Sequence, residues 1–378
     1  MKAVTYQGIK NVQVKEVKDP EIQKADDIIV KITSSAICGS DLHLIHAMVP
    51  NTPTDFVIGH EPMGVVEEVG PEVTKLKKGD RVIIPFNVSC GHCWYCTHDL
   101  TSQCDNSNPH GEMGGFFGYS ELTGGFPGGQ AEYLRVPYGN FTPFKVPENC
   151  EVEDEKLALL ADATPTAYWS VDHAGVKPGD TVIILGCGPI GLLAQKFAWL
   201  KGAKRVIAVD YIDYRLKHAE RTNKVEIINF EQHPNTGEYL KEITKGGADI
   251  VIDAVGMDGK WTPLEFLASG LKLHGGAMGA IVIASQAVRK GGTIQITGVY
   301  GGRYNAFPLG DIFQRNVEIK TGQAPVIPYM PFLYDQINQG KIDPGDIITH
   351  VLPLDQAKHG YEVFDTKMED CIKVILKP

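Results

Sequence analysis

The pattern of apolar and polar positions changes character near residue 178. Before that point, short runs such as Ile28 to Thr33 and Gly64 to Val69 alternate between the two classes and are broken by Gly, Pro and Asn. Further runs of this kind are Asp80 to Pro85 and Ala131 to Pro137. Such runs are typical of strands with one buried face. The pattern therefore predicts an antiparallel or barrel-like β region up to about Lys145.

From about Pro178, apolar runs alternate with longer helical stretches. The helical stretches include Gly191 to Leu200 and Tyr214 to Thr222. The predicted strands are Thr181 to Leu185, Arg205 to Val209, Val225 to Asn229, Asp249 to Asp253, Thr293 to Thr297 and Val317 to Lys320. Strands that alternate with crossover helices favour a doubly wound parallel sheet, so the fold class predicted is α/β.

The last part of the chain returns to a mixed pattern. One helix is predicted near Tyr329 to Gln339, and strands are predicted at Ile348 to Val351 and Cys371 to Leu376. We expect this tail to fold back onto the β region. With 378 residues the chain is too long for one ordinary core. The predicted division is 1–164 for a catalytic domain, 165–322 for a nucleotide-binding domain and 323–378 for the return.

The charge and composition of the chain argue against nucleic-acid binding, secretion and insertion into a membrane. The chain carries 36 basic and 46 acidic residues, a formal charge of −10, and no basic run that would attract a phosphate backbone. Met1 to Val14 alternates as a strand does and lacks the apolar core of a secretion signal, and no run reaches the ~18 apolar residues of a membrane span. We expect a cytoplasmic protein that binds neither nucleic acid nor membrane. In that setting its 8 cysteines are metal ligands or core residues.

A glycine-rich motif follows the first predicted parallel strand. The motif is G-x-G-x-x-G and precedes a helical run, which is the context of a dinucleotide site. Its expected contact residues are Gly186, Gly188, Pro189, Ile190 and Gly191. Asp210 ends the next strand, where a carboxylate accepts hydrogen bonds from the ribose hydroxyls and repels a 2′-phosphate. NAD is thus favoured over NADP, although Arg215 could blunt the preference. A glycine-rich turn that binds no nucleotide is the alternative.

Four cysteines crowd into one short segment. They are Cys90, Cys93, Cys96 and Cys104. Four thiolates close a tetrahedron around zinc and leave no open position, so such a site fixes the fold of its loop. An iron–sulfur cluster also takes four cysteines, but the spacing differs from that of common ferredoxins. Four buried free thiols are the remaining alternative.

A second set of metal-ligand types is dispersed. Cys38 opens the run Cys38–His43, and His60 lies in Gly59–Pro62 beside Glu61. A catalytic zinc needs about three protein ligands and a vacant position, and Cys38 and His60 would supply two. Taken singly, Cys38 could be a core residue and His60 a structural histidine. Their occurrence together with Ser40, Asp41 and His43 favours a catalytic metal site.

At these residues the chain resembles the zinc-containing medium-chain alcohol dehydrogenase family. The resemblance extends to Gly79–Val82, the four-cysteine segment, the glycine motif with Asp210, and Gly291–Thr293. It implies a GroES-like β catalytic domain and a Rossmann domain. Within the family the chain is most similar to the glutathione-independent formaldehyde dehydrogenases, on Gly129–Tyr133, Leu160–Asp162 and Thr321–Pro325.

The resemblance implies a third ligand for the catalytic zinc. Mammalian members use a cysteine at that position, whereas Asp162 occupies it here, as in the formaldehyde dehydrogenase branch. A carboxylate in place of a thiolate makes zinc a harder Lewis acid. Asp162 could instead be a helix cap or a hinge residue. Cys150 is the other candidate ligand, but it lies in a linker and breaks the family register.

The resemblance also assigns roles around the metal and the cofactor. Glu61 would sit behind the zinc, as an outer residue or a transient ligand, and Asp41 would accept a hydrogen bond from His60. Ser40 would take the proton of the substrate and pass it through the nicotinamide ribose to His43 at the surface. The residues expected near the nicotinamide half of NAD are Thr166, Thr297, Val299, Gly322 and Gln323.

The implied reaction is hydride transfer from a small alcohol or an aldehyde hydrate, such as that of formaldehyde, to NAD. One catalytic and one structural zinc are implied, and bacterial relatives suggest a homotetramer. Oxidation of a polyol, a secondary alcohol or threonine, aldehyde dismutation, and a catalytically silent NAD-binding protein are the alternatives. The segment Met257 to Gly279 would either shield the cofactor, so that NAD stays bound through turnover, or contact another subunit.

Overall fold

The structure is a computed structural model that describes residues 1–50, 52–109, 111–259, 277–302, 304 and 307–378. It forms two compact units. The first contains Met1–Pro165 and Pro325–Pro378, and the second contains Thr166–Ala324. Within the described ranges, no helix has the length and apolar character needed to cross a bilayer.

The strands and helices are as follows in chain order. The strands are β1 Lys2–Tyr6, β2 Val12–Glu16, β3 Ile28–Ile37, β4 Glu61–Val69, β5 Arg81–Ile83, β6 Asn87–Val88, β7 Gly115–Phe116, β8 Tyr133–Val136, β9 Phe144–Lys145, β10 Thr181–Leu185, β11 Arg205–Asp210, β12 Glu226–Asn229, β13 Ala248–Asp253, β14 Val288–Ile296, β15 Glu318–Thr321, β16 Ile348–Pro353 and β17 Lys373–Lys377. The helices are α1 Gly39–Ile45, α2 Trp94–Thr97, α3 Asp154–Ala158, α4 Ala163–Ala174, α5 Pro189–Leu200, α6 Asp213–His218, α7 Thr236–Ile243, α8 Gly279–Ala287, α9 Leu309–Gln314, α10 Val326–Asn338 and α11 Ala357–Thr366.

The first unit is built on a seven-stranded sheet. Its strand order is β16-β17-β3-β4-β5-β9, and β8 also pairs with β3. The tail enters this sheet directly, because β17 pairs antiparallel with β3 and places Val374 opposite Ile37. On the other side of β3, Ala36 lies opposite Glu61 of β4. These two pairings determine which residues of β17 and β4 lie beside the carboxyl end of β3.

The second unit is a six-stranded parallel sheet in the order β12-β11-β10-β13-β14-β15. Its central strand β10 is buried along almost its whole length, as expected for a parallel strand covered on both faces. From the centre of the sheet, successive strands of the chain are added outward on both sides: β11 and β12 beyond β10, and β14 and β15 beyond β13. This is the doubly wound arrangement. The predicted α/β class, with a GroES-like domain and a Rossmann domain, is confirmed.

Two predicted elements start earlier than expected. Strand β14 begins at Val288 rather than Thr293, because the polar and glycine residues of 289–292 concealed its continuation in the sequence. Helix α10 begins at Val326 rather than Tyr329. Pro328 suggested a later start, but it falls within the first turn, where a missing backbone N–H costs nothing. The proposed cofactor-shielding segment lies mostly at 260–276, outside the described residues.

Candidate metal centres and dinucleotide site

The dispersed ligand candidates meet at one end of the sheet of the first unit. Cys38 directly follows β3 and lies at the start of α1, while His60 directly precedes β4. Because β3 and β4 are antiparallel neighbours, the end of one lies beside the start of the other. Asp162 follows the 3-10 turn Leu159–Ala161, whose last carbonyl accepts the backbone N–H of Phe86. One donor atom from each of Cys38, His60, Glu61 and Asp162 lies within 4.8 Å of the others.

The distances within this cluster fit a zinc tetrahedron. Ordinary zinc bond lengths place the donor atoms of a tetrahedral site roughly 3.3–3.6 Å apart. The Oδ2 atom of Asp162 lies 3.3 Å from His60 Nε2 and 3.5 Å from Cys38 Sγ. The residues present therefore fit a zinc held by a thiolate, an imidazole and a carboxylate.

The electrostatics of the cluster also favour a cation. Burial raises the pKa of the Cys38 thiol, and the neighbouring Asp162 raises it further. Burial lowers the pKa of His60, but Asp41 and Cys38 outweigh burial, so the net pKa lies well above the usual value. Several acidic groups thus share one confined space with a single imidazole. A divalent cation would relieve their mutual repulsion.

A buried chain of polar contacts extends from His60 into the protein. His60 Nδ1 lies 3.0 Å from Oδ1 of Asp41, the residue predicted to face this nitrogen. Asp41 Oδ2 accepts the backbone N–H of Cys38 at 3.0 Å and the Gln130 amide at 3.3 Å. Gln130 in turn accepts the hydroxyl of Tyr361, from α11, at 2.8 Å. The outer two residues had no assigned role in the sequence, although Gln130 lies in one of the family-like runs.

Glu61 is held by a residue that sequence reasoning missed. Its Oε1 accepts the Lys373 ammonium at 2.7 Å, and both side chains are completely buried. Burial raises the pKa of Glu61, while Lys373 lowers it. Strands β17 and β4 flank β3 on opposite sides. Lys373 lies on β17 next to Val374, which pairs with the end of β3, and Glu61 lies on β4 beside the same end. No local motif marks Lys373, and only the pairing of the tail could have found it.

The predicted proton-relay residues lie on α1. Ser40 Oγ is 3.3 Å from Cys38 Sγ and 3.2 Å from His60 Nε2, directly beside the cluster. His43, in contrast, does not lie at the surface as predicted. Its side chain is 5 % exposed and its Nδ1 is 3.2 Å from the Tyr119 hydroxyl. The short helix turns its residues 41–45 inward, which buries the imidazole.

The four-cysteine segment forms a second, separate cluster in the first unit. Cys90 Sγ lies 3.9 Å from Cys96 Sγ, and Cys93 Sγ lies 3.9 Å from Cys104 Sγ. Zinc–sulfur bonds of ~2.3 Å predict edges of roughly 3.8 Å in a tetrahedral site. A hydrogen bond from Cys96 lowers the pKa of Cys104. The geometry fits a closed zinc site, as predicted for structural zinc.

We expect Cys104→Ser to remove one of the two zinc sites. A hydroxyl is a poor substitute for a buried thiolate, so metal analysis should find about one zinc per chain instead of two. The loop from residue 87 to 116 should also become sensitive to limited proteolysis. Cys371→Ala, which changes a buried cysteine in the apolar core, is the control and should keep both metals. Full zinc content in the Cys104 variant would contradict the assignment.

The glycine motif has the geometry of an anion-binding turn. Gly186 directly follows β10 and has a φ of +95°, and Gly188 is the N-cap residue of α5 with Pro189 in its first turn. Any side chain at Gly191 would collide with the carbonyl oxygen of Gly186. Ile190 lies in the first turn of α5. Backbone N–H groups at a helix start favour a phosphate, so the residues fit a dinucleotide.

The carboxylate at the end of β11 is fixed by backbone donors. Asp210 Oδ2 accepts the N–H of Cys187 at 2.6 Å, and Oδ1 accepts those of Tyr211 and Ile212 at 2.6 and 3.0 Å. An ionised carboxylate has about four acceptor sites, so further hydrogen bonds to a ribose remain possible. The buried Arg215 guanidinium extends toward Gly188 of the motif.

The residues predicted near the nicotinamide lie in three segments of the second unit. Thr166 is in α4, and Gly322 and Gln323 directly follow β15. Thr297 and Val299 lie in the turn after β14, at the carboxyl edge of the sheet. The Thr297 N–H donates to the Asp253 carbonyl, and the Val299 carbonyl accepts the N–H of Met257. Contact of these residues with a cofactor stays a prediction.

Comparisons with known proteins agree with both units. Residues 24–148 match the alcohol dehydrogenase GroES-like domain family, and residues 189–323 match the zinc-binding dehydrogenase family. The chain is 75% identical, over all of both chains, to the uncharacterized zinc-type alcohol dehydrogenase-like protein AdhB of Bacillus subtilis. It is 34% identical to the glutathione-independent formaldehyde dehydrogenase of Pseudomonas aeruginosa, over 96% of this chain and 94% of that protein. Alcohol dehydrogenase TADH from Thermus sp. ATN1 superimposes with a TM-score of 0.84 at 34% identity, covering 100% of this chain and 99% of the other.

Two clusters with zinc geometry, a dinucleotide-binding sheet and full-length relatives lead to one assignment. The cofactors are zinc, at a structural and a catalytic site, and a nicotinamide dinucleotide. The chain belongs to the zinc-type medium-chain alcohol dehydrogenase family and is an oxidoreductase of that family.

Proposed function

We propose that the protein oxidises a small alcohol or an aldehyde hydrate, with formaldehyde the first candidate substrate, and that NAD is the hydride acceptor. The observation that carries this proposal is the carboxylate of Asp162 beside Cys38 and His60. A carboxylate ligand at this position is what the resemblance to formaldehyde dehydrogenases implies. The identity to the Pseudomonas aeruginosa formaldehyde dehydrogenase supports the same substrate class.

Cys38, His60 and Asp162 would hold the catalytic zinc. When bound, zinc at this site polarises the substrate oxygen and NAD accepts a hydride from the adjoining carbon. Asp41 fixes the orientation of the His60 ring through the contact at Nδ1. Ser40 Oγ, next to two of the donor atoms, takes the proton of the substrate hydroxyl, and His43 is the acceptor further along. Oxidation of an alcohol then yields an aldehyde, and oxidation of an aldehyde hydrate yields a carboxylic acid; each reaction also yields NADH and one proton.

We further propose that NAD is preferred to NADP. Asp210 is an anion held rigidly by three backbone N–H groups at the end of β11. A fixed carboxylate there repels a 2′-phosphate. Arg215 lies close to the glycine motif and would weaken this preference without reversing it.

The compartment and the assembly remain predictions. The eight cysteines, all of them among the described residues, form no disulfide bond with one another, which suits a reducing compartment such as the cytoplasm. A homotetramer is the expected assembly.

A substrate panel tests the proposed function. Zinc-loaded protein is mixed with formaldehyde, primary and secondary alcohols, a polyol and threonine, and NADH formation is followed with NAD or NADP. We expect kcat/KM for formaldehyde with NAD to exceed that for secondary alcohols by about tenfold or more. A preference for a polyol, a secondary alcohol or threonine would overturn the substrate assignment. Equal yields of methanol and formate without net NADH would indicate dismutation.

The relay predicts a pH-dependent effect of His43→Gln. Without the imidazole, the proton must leave to solvent, where hydroxide is scarce at low pH. We expect kcat to fall roughly tenfold near pH ~6 and much less near pH ~9. His46→Gln, at the end of the same helix and paired with Asp365, is the control and should keep the wild-type profile. A pH profile of the His43 variant that matches the wild type would rule out the relay.

A further inference from the structure

Two turns meet at the carboxyl edge of the parallel sheet in the second unit. One follows β13 and contains residues 254–257, and the other follows β14 and contains residues 297–300. The Met257 N–H donates to the Val299 carbonyl at 2.9 Å, and Gly256 touches Gly298 so closely that neither could carry a side chain. Ligands of doubly wound sheets bind at this edge. The geometry of these turns therefore controls the backbone that a nicotinamide would meet.

The carboxylate of Asp253 holds both turns at once. Its Oδ1 accepts the N–H groups of Val255 and Gly256, at 2.8 and 3.3 Å, from the first turn. Its Oδ2 accepts the hydroxyl of Tyr300, at 2.7 Å, from the second turn. Asp253 is completely buried at the end of β13. One carboxylate is thus satisfied by three donors drawn from the two segments.

The backbone of Asp253 reinforces the same connection. Its carbonyl accepts the N–H of Thr297 at 3.0 Å and that of Gly298 at 2.9 Å. Burial raises the pKa of Tyr300, as does the adjacent Asp253, so the phenol keeps its proton and remains a donor. The Tyr304 ring packs edge-on against Tyr300, with the ring centroids 5.3 Å apart. The side chain of Tyr300 is therefore held from two directions.

We propose that Tyr300 and Asp253 are positioning residues for the nicotinamide half of the dinucleotide. Their hydrogen bond adds a side-chain link between the turn that holds Thr297 and Val299 and the turn at 254–257, beyond the backbone hydrogen bonds that already join the two. The inference rests on the proposed function in one respect: it assumes that the nicotinamide binds beside the turn that contains Thr297 and Val299. Neither side chain needs to touch the cofactor. The adenosine half is expected at Asp210 and the glycine motif, and Asp210 is held by the backbone N–H groups of Cys187, Tyr211 and Ile212 rather than by this hydrogen bond.

The test compares two ligands in Tyr300→Phe, which removes a single oxygen atom. NADH probes the whole site, while ADP-ribose lacks only the nicotinamide ring and probes the rest of the site. We expect the Kd for NADH to rise about tenfold and the Kd for ADP-ribose to stay within about twofold of wild type. Tyr239→Phe, in α7 where the ring stacks on His233, is the matched control and should change neither Kd.

The outcomes separate positioning from general stability. Unchanged NADH affinity in the Tyr300 variant would overturn the inference. A parallel loss of NADH and ADP-ribose affinity, with a lower Tm, would show a merely structural role and would also overturn it. Should the variant fold poorly, amide exchange in wild-type protein replaces it: NADH, but not ADP-ribose, should protect residues 254–257 and 297–300. Equal protection by both ligands would contradict the proposal.

The same experiment distinguishes this inference from the proposed function. Binding requires no substrate, so a failed substrate panel leaves the Kd comparison valid. Wild-type protein that does not bind NADH at all would refute both.

Discussion

We expect Cys38→Ala to abolish turnover of every substrate while leaving the affinity for NADH within about twofold of wild type. The thiolate is one of three donors to the predicted catalytic zinc, and a methyl group cannot replace it. The remaining His60 and Asp162 would hold the metal weakly. The dinucleotide residues belong to the second unit and are not altered. Steady-state kinetics, metal analysis and a fluorescence titration with NADH measure the three expectations.

Cys150→Ala is the matched control for this loss. Cys150 is a buried cysteine of the same unit and is the ligand candidate that the family register argues against. Its removal should leave zinc content and activity near the wild-type values. Activity that survives in the Cys38 variant but disappears in the Cys150 variant would show that Cys38 and Asp162 are not the zinc ligands and that Cys150 belongs to the ligand set.

The second large effect is expected for Lys373→Met. The substitution keeps most of the side-chain volume but removes the ammonium that lies 2.7 Å from Glu61 in a completely buried pair. The other carboxylate oxygen of Glu61, Oε2, has no hydrogen-bond partner among the described residues, so the substitution removes the ammonium that compensates this carboxylate from the protein side. Breaking a buried ion pair from one side costs about 3–5 kcal/mol. Denaturant unfolding of the zinc-loaded protein measures this loss.

Two further variants identify the origin of the loss. Lys377→Met changes another lysine of β17, whose pair with Glu155 is partly exposed. It should cost less than about 1 kcal/mol. The double variant Glu61→Gln with Lys373→Met removes both charges and should recover a large part of the loss, because the cost arises from the uncompensated carboxylate. Equal destabilisation by the two lysine substitutions would show that the buried pair is not responsible.

The sequence determined the features that depend on near neighbours along the chain. Alternation with a period of two marked the strands of the first unit, and buried apolar runs between helices marked the parallel sheet. The glycine motif and the four-cysteine segment were recognisable because all their residues act within one turn or loop. The resemblance then extended these local signals to Asp162, which is 124 residues from Cys38 and carries no motif of its own.

The tertiary structure decided the relations between residues that are remote in sequence. Lys373 reaches Glu61 across 312 residues because β17 pairs with β3, and strand register is not encoded in any short pattern. The hydrogen bond of Tyr300 to Asp253 arises in the same way, from the pairing of β13 with β14. Burial of His43 contradicted a prediction because exposure depends on what packs over a helix, and here Tyr119 does so. Local propensity is a property of adjacent residues, whereas contacts and burial follow from which strands become neighbours.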